Sequence, residues 1–94
     1  MMKTVSSIRW TEHSIEHIAR HAISPREVEE ACFNELEAPY IRSGKYNLHY
    51  VFGRTDAGRF VFIVVKFERH GKVSVITARD MNGWEKEYFV RRGK

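Results

Sequence analysis

The sequence predicts an α+β fold: two N-terminal helices, a four-stranded antiparallel meander sheet and a C-terminal helix. Three observations lead there. Apolar residues recur at helical spacing up to Asn34, and from Tyr40 the apolar period drops to two. Short, glycine-bearing connections separate the β runs, as hairpin turns do. A polar turn after Arg79 then opens a further helical stretch at Gly83 and Trp84. With 94 residues, the chain is sized for one domain over 1–94.

Each element has its own local signal. Thr11 caps a first helix over Glu12–His21, with Ile15, Ile18, Ala19 and Ala22 as its apolar stripe. The second helix begins at Ile23-Ser24-Pro25-Arg26-Glu27-Val28, a capping box with a staple. Ser24 caps, Pro25 takes the first helical position, and Glu27 reaches back to the cap. This helix runs to about Asn34 and buries Val28, Ala31 and Cys32; Pro39 prevents continuation. Four strands follow: Tyr40–Ser43, Tyr46–Arg54, Arg59–Phe67 and Lys72–Arg79. In the second, Tyr46, Leu48, Tyr50 and Phe52 share one face, with His49, Val51 and Gly53 on the other. The third is apolar on both faces, so it belongs at the centre of the sheet. Trp84, Tyr88 and Phe89 dock the last helix onto the sheet.

Composition narrows the classes of function. The formal net charge of +4 favours an acidic partner such as nucleic acid. The single cysteine, Cys32, excludes an intrachain disulfide and sits on an apolar stripe, which suits a small buried hydrophobe. The longest apolar run, Phe60–Val65, is far short of the ~20 residues that span a bilayer. The opening MMKTVSSIRW carries no long apolar region, so a cytoplasmic protein with no membrane partner is expected. His13, His17 and His21 repeat at one-turn spacing, and such pairs bind zinc. No ligand from elsewhere in the chain and no supporting acid is marked for such a pair, so the reading is a solvated or RNA-facing stripe with no metal and no cofactor.

Nucleotide-binding glycine loops, serine elbows and cysteine ligand sets are all absent from the sequence. What remains is a set of basic, acidic and aromatic residues around the sheet. Arg54 and Arg59 flank the second turn, Lys66 and Arg69 end the third strand, and Arg79 ends the fourth; His49, Glu85 and Tyr88 can join them. Metal-independent RNA cleavage draws on this inventory. A base takes the 2′-hydroxyl proton, cations stabilise the phosphoryl oxygens, and an acid protonates the leaving 5′-oxygen. Arginine suits phosphate because its planar fork bonds two oxygens.

The chain resembles the BrnT-type toxins of bacterial type II toxin–antitoxin systems, whose fold is RelE-like. Short ordered matches from Trp10 to Tyr88 carry the resemblance. Trp10-Thr11-Glu12 and then Arg20-His21-Ala22-Ile23-Ser24 resemble the family's opening and its helix junction, and Glu27, Glu30 and Phe33 continue that pattern. Gly53-Arg54 and Val64-Val65-Lys66-Phe67-Glu68-Arg69 resemble its sheet motifs. Thr77-Ala78-Arg79, followed by Glu85 and Tyr88, looks like its ending and is the most specific match. Three departures stand beside these. His13 and His17 occupy a region where the family has a lysine. Lys66 stands where a histidine is common. Asn47, Leu48 and His49 stand where an arginine is usual.

The resemblance implies a ribosome-independent RNA-cleaving toxin that a dedicated antitoxin neutralises, with DNA bound only through the toxin–antitoxin complex. The alternative is a catalytically inactive relative that binds protein or nucleic acid. Arg79 is the expected phosphate and transition-state ligand, and Glu85 or His49 the acid–base group, with Lys66 also at the reactive centre. Arg54, Arg69 and Arg59 would hold RNA, and Tyr88 would stack a base or orient Arg79.

Overall fold

The computed structural model describes residues 3–92. Among them the order is β1 (Ser7–Arg9), α1 (Glu12–Ala19), α2 (Pro25–Cys32), β2 (Tyr40–Ser43), β3 (His49–Arg54), β4 (Phe60–Phe67), β5 (Lys72–Asp80) and α3 (Gly83–Arg91). The strands form one five-stranded sheet in the order β1-β5-β4-β3-β2. β2 to β5 make the expected antiparallel meander. The expectation of four antiparallel strands is corrected at one edge, where β1 pairs in parallel with β5 and makes the sheet mixed. Ser7-Ile8-Arg9 is too short to show a period. It is held by long-range bonds: Ser6 N–H donates to the Gly71 carbonyl at 2.8 Å, and Arg9 reaches Glu68 and Ser74.

All three described helices start with a capping box, on Thr11, Ser24 and Asn82. Each cap stabilises its helix by about 1 kcal/mol. α1 is shorter than expected: it ends at Ala19, and Ala22 already has φ 57. Of its expected stripe Ile18 is buried, while Ile15 stays largely exposed.

Period-two alternation divides the sheet into two different faces. The residues Val51, Ile63, Val65, Val73, Val75 and Ala78 point to one side, where Ile18, Ile23, Val28 and Ala31 of the first two helical segments cover them. Helix α2 lies so close that a Cβ added at Gly53 would meet the Ala31 carbonyl oxygen at 2.9 Å. Only glycine fits that approach. Cys32 is buried in this layer, and burial pushes its thiol up to about 12. Phe52, Phe62, Tyr40, Tyr50, Phe60 and Val64 point to the other side, where Phe89, Tyr88 and Met81 pack on part of them.

The β2–β3 turn decides which residues share a face. Leu48 N–H donates to the Lys45 carbonyl, and the two central residues, Tyr46 and Asn47, have φ 58 and 60. This is a type I′ turn, whose twist suits a hairpin. The turn therefore lies beyond Gly44-Lys45, and β3 starts at His49 rather than Tyr46. At β4–β5 the register shifts between Val64 and Val65, which leaves Ile76 as a bulge.

Candidate nucleic-acid interface

The second face can be read as rows running across the strands. Arg79 pairs with Phe62, Phe62 with Phe52, and Phe52 with Tyr40. The next row is Thr77, Val64, Tyr50 and Arg42, and beyond it lie Ser74 and Lys66. Helix α3 covers the first row: Tyr88 packs edge-on against Tyr40 and Phe52, at 5.6 and 5.3 Å between ring centroids. The second and third rows are uncovered. The result is an aromatic shelf carrying cations on three sides: Arg79, Arg42 and Lys66.

Arg79 sits where β5 meets the first turn of α3. Its Nη1 and Nη2 donate to the two carboxylate oxygens of Glu85 at 2.8 and 2.9 Å, and Nη1 also donates to the Asp80 carbonyl. The guanidinium lies over the Phe62 ring, 4.4 Å from its centroid. Glu85 thus takes the end-on edge of the fork. The side-on edge, formed by Nε–H and the second Nη2 hydrogen, has no partner among the described residues. The arginine side chain is 40% exposed, and a side-on edge of this kind suits an oxyanion.

Glu85 is only 3% exposed. It also accepts from the Asn82 backbone N–H, as the third residue of the capping box. Burial pushes its carboxyl up, but the Arg79 bonds, the Asn82 amide and the Arg79 charge together hold it below the ordinary value of 4.5. Its oxygens are engaged and it is ionised at neutral pH. That suits it to orient Arg79 and makes it a poor proton donor.

Tyr88 accepts a hydrogen bond from Arg42 Nη1, and the Arg42 guanidinium carbon lies 5.6 Å from the Tyr88 ring centroid. Tyr50 stacks against Phe62 at 5.3 Å. Arg42 and Tyr50 were not selected from sequence. Alternation puts Tyr40 and Arg42 on one face, but only the turn at Tyr46-Asn47 shows that this is also the face of Arg79. Lys66 shares the face as an exposed side chain, opposite Ser74. Four residues of strand separate it from Phe62, about 13 Å. Lys66 and Arg79 thus stand apart on the shelf and do not meet at one atom.

The other expected site residues lie elsewhere. His49 pairs with Val65 and stacks edge-on with Phe67, on the face opposite Arg79, so the two do not meet. Burial, and then the nearby Lys3, push its pKa down, and its Nδ1 is buried without a partner. Arg59 donates to Asp80 at 2.7 Å, to Glu27 at 3.1 Å and to the Ala22 carbonyl at 2.8 Å, fastening β4 and β5 to the start of α2. Its hydrogen bonds, and then its charge, hold Asp80 below the usual carboxylate range against the effect of burial. Arg54 stacks on Phe60, donates to the Gly58 carbonyl and pairs with Glu37, beyond the covered row. Arg69 lies in the β4–β5 turn, at the far end of β4 from Arg79. Trp84, expected to dock on the sheet, is 63% exposed. His13, His17 and His21 line up with ring centroids 6.2 and 6.3 Å apart. Among the described residues no group of three or more histidine, cysteine or acidic side chains is placed to hold a metal ion.

No family model matches the sequence, and no curated protein matches it either. Solved structures do. The crystal structure of the Brucella abortus ribonuclease toxin BrnT superposes with a TM-score of 0.64, covering 82% of this chain and 97% of that one at 19% identity. The chain has the BrnT fold. Its three helices and mixed five-stranded sheet are therefore an arrangement found in a ribonuclease toxin, and the face with Arg79, Glu85 and Tyr88 is built on that scaffold. No helix among the described residues is long and apolar enough to cross a membrane.

Proposed function

We propose that the chain is a BrnT-type ribonuclease toxin that binds RNA on the open aromatic face and cleaves it without a metal: the 2′-hydroxyl attacks the adjacent phosphorus as the bond to the 5′-oxygen breaks, leaving a 2′,3′-cyclic phosphate and a 5′-hydroxyl, with solvent water taking the 2′ proton and protonating the leaving oxygen. The observation that carries this reading is the free side-on edge of Arg79, held by Glu85 and Phe62 at the rim of an uncovered basic shelf. That edge donates to the non-bridging oxygens of the scissile phosphate, where charge grows in the transition state. Glu85 is a positioning residue and Tyr88 holds Arg42. Lys66 and Arg42 bind the backbone on either side, and the alignment of the attacking hydroxyl supplies part of the rate. Within the cell, a dedicated antitoxin covers this face, and the complex, rather than the toxin alone, binds DNA.

A second reading is a catalytically inactive relative that binds RNA or protein. It is favoured by the ionised, fully engaged Glu85 and by the placement of His49 on the other face. One experiment separates the two. Wild type and Arg79→Ala are incubated with structured and single-stranded RNA, while circular dichroism confirms folding. Cleavage by wild type that falls ~100–1000-fold in the variant is the expected outcome. Binding without cleavage by wild type supports the inactive reading, and neither binding nor cleavage overturns RNA as the ligand and leaves only the protein-binding form of the second reading.

A further inference from the structure

The flank of α3 beside the open shelf carries an exposed tryptophan that the fold does not use. Trp84 and Tyr88 are one turn apart on that flank, with ring centroids at 5.9 Å, and Tyr88 packs in turn on Tyr40. The opposite flank is different: Lys86 leans over Phe60, on the Arg54 side. Glu85 and Phe89 hold the helix down, so Trp84 contributes little to its anchoring. A cleft of about 490 Å³ opens between these three rings, Glu87, Arg91 and Arg92, where Glu87 pairs with Arg91 at 2.8 Å and Arg92 leaves the rim net positive. Arg42, on Tyr88, closes the shelf side. Trp84 is also the residue next to Glu85, whose carboxylate fixes Arg79, so cleft and phosphate edge are joined through one rigid helix turn.

We infer that Trp84, with Tyr88 and Tyr40, forms a stacking subsite for a nucleobase of single-stranded RNA, on the α3 side of the shelf, for a chain whose phosphate is bound at Arg79. This rests on the RNA-binding reading above. An indole offers every base a π-face, so the subsite tolerates sequence, and the surrounding arginines suit the backbone that carries the base. A protein segment would also accept the apolar ring. The cationic rim beside it favours the polyanion.

The test uses Trp10→Phe protein, in which Trp84 is the remaining tryptophan. Its emission is followed while a 2′-O-methyl oligonucleotide, which cannot cleave itself, is added. Anisotropy of the labelled oligonucleotide reports binding independently. Saturable change of the Trp84 emission, coincident with binding, is expected. Trp84→Ala should weaken binding about tenfold to a hundredfold, and Trp84→Phe should restore most of it. If Trp84→Ala binds like its parent while Arg79→Ala does not, the subsite is overturned and the RNA-binding reading stands. If no variant binds, both fall. If Trp84→Ala loses a protein partner but keeps the oligonucleotide, Trp84 is a protein-docking residue and the inference is wrong.

Discussion

The two faces of the sheet are made from neighbouring residues of the same strands, yet they differ in almost every property. The face under α1 and α2 is aliphatic and closed, with Val51, Val61, Ile63, Val65 and Val73 fully buried. The face under α3 is aromatic and half open. Its rings carry arginines: Arg79 over Phe62, Arg42 at Tyr88 and Arg54 over Phe60. Aliphatic packing suits one task, the removal of apolar surface from water. Aromatic rings do that and also present a polarisable platform that orients a guanidinium without neutralising it. The first face stabilises the fold, and the second carries exposed and half-exposed arginines.

The largest effect expected from separating these tasks is on the closed face. Ile63→Ala should lower unfolding free energy by about 2–5 kcal/mol in urea titrations, because it leaves a cavity in a packed layer. RNA binding per folded molecule should stay unchanged, and a specific loss of binding would show that the faces are not independent. Arg79→Lys should reverse the pattern: a melting temperature within a few degrees of wild type and RNA cleavage lowered by about 100-fold, since an ammonium lacks the fork that bonds Glu85 and phosphate together.

A smaller effect concerns acid stability. The Glu85 carboxyl is held below its ordinary value of 4.5 in the folded state. Its contribution is therefore fully present above that value and is lost as pH falls through the lower folded pKa. Glu85→Gln should remove this acid-dependent component, leaving a flatter stability curve below pH 4.5. At neutral pH the cost should be about 1–2 kcal/mol, discounted because Arg79 is partly solvated. An unchanged acid limb would mean that the ion pair does not hold α3 down. The smallest effect should come from His49→Ala. Because His49 lies on the other face, cleavage should stay within about twofold of wild type, a change of less than 0.5 kcal/mol. A loss of activity as large as that of Arg79 would overturn the assignment of faces.

Much of the scaffold was readable in the residues, for local reasons. The capping box at Ser24, the central position of β4 and the six-residue step from Arg79 to Glu85 are all set within one element or one turn. What was hidden depends on distant partners. β1 spans three residues, and its place is set by a strand that begins at Lys72. The faces of His49 and Arg42 follow from a type I′ turn built on Tyr46 and Asn47, two non-glycine residues at positive φ. The exposure of Trp84 follows from which side of α3 Glu85 and Phe89 bury, and an apolar side chain does not announce that. Paired arginines were the hardest to judge: Arg59 and Arg79 look alike in sequence, but Arg59 is spent on Asp80, Glu27 and Ala22.

The central claim is that the side-on edge of Arg79 receives the RNA phosphate on the open face. NMR of the arginine Nε–H groups and backbone amides, during titration with a non-cleavable oligonucleotide, tests it most directly. A large shift of the Arg79 Nε–H is expected, with amide shifts at Arg42, Tyr50, Lys66 and Thr77 and little change across α1, α2 and His49. An unmoved Arg79 Nε–H, with shifts gathered on the helix-covered face, would contradict it.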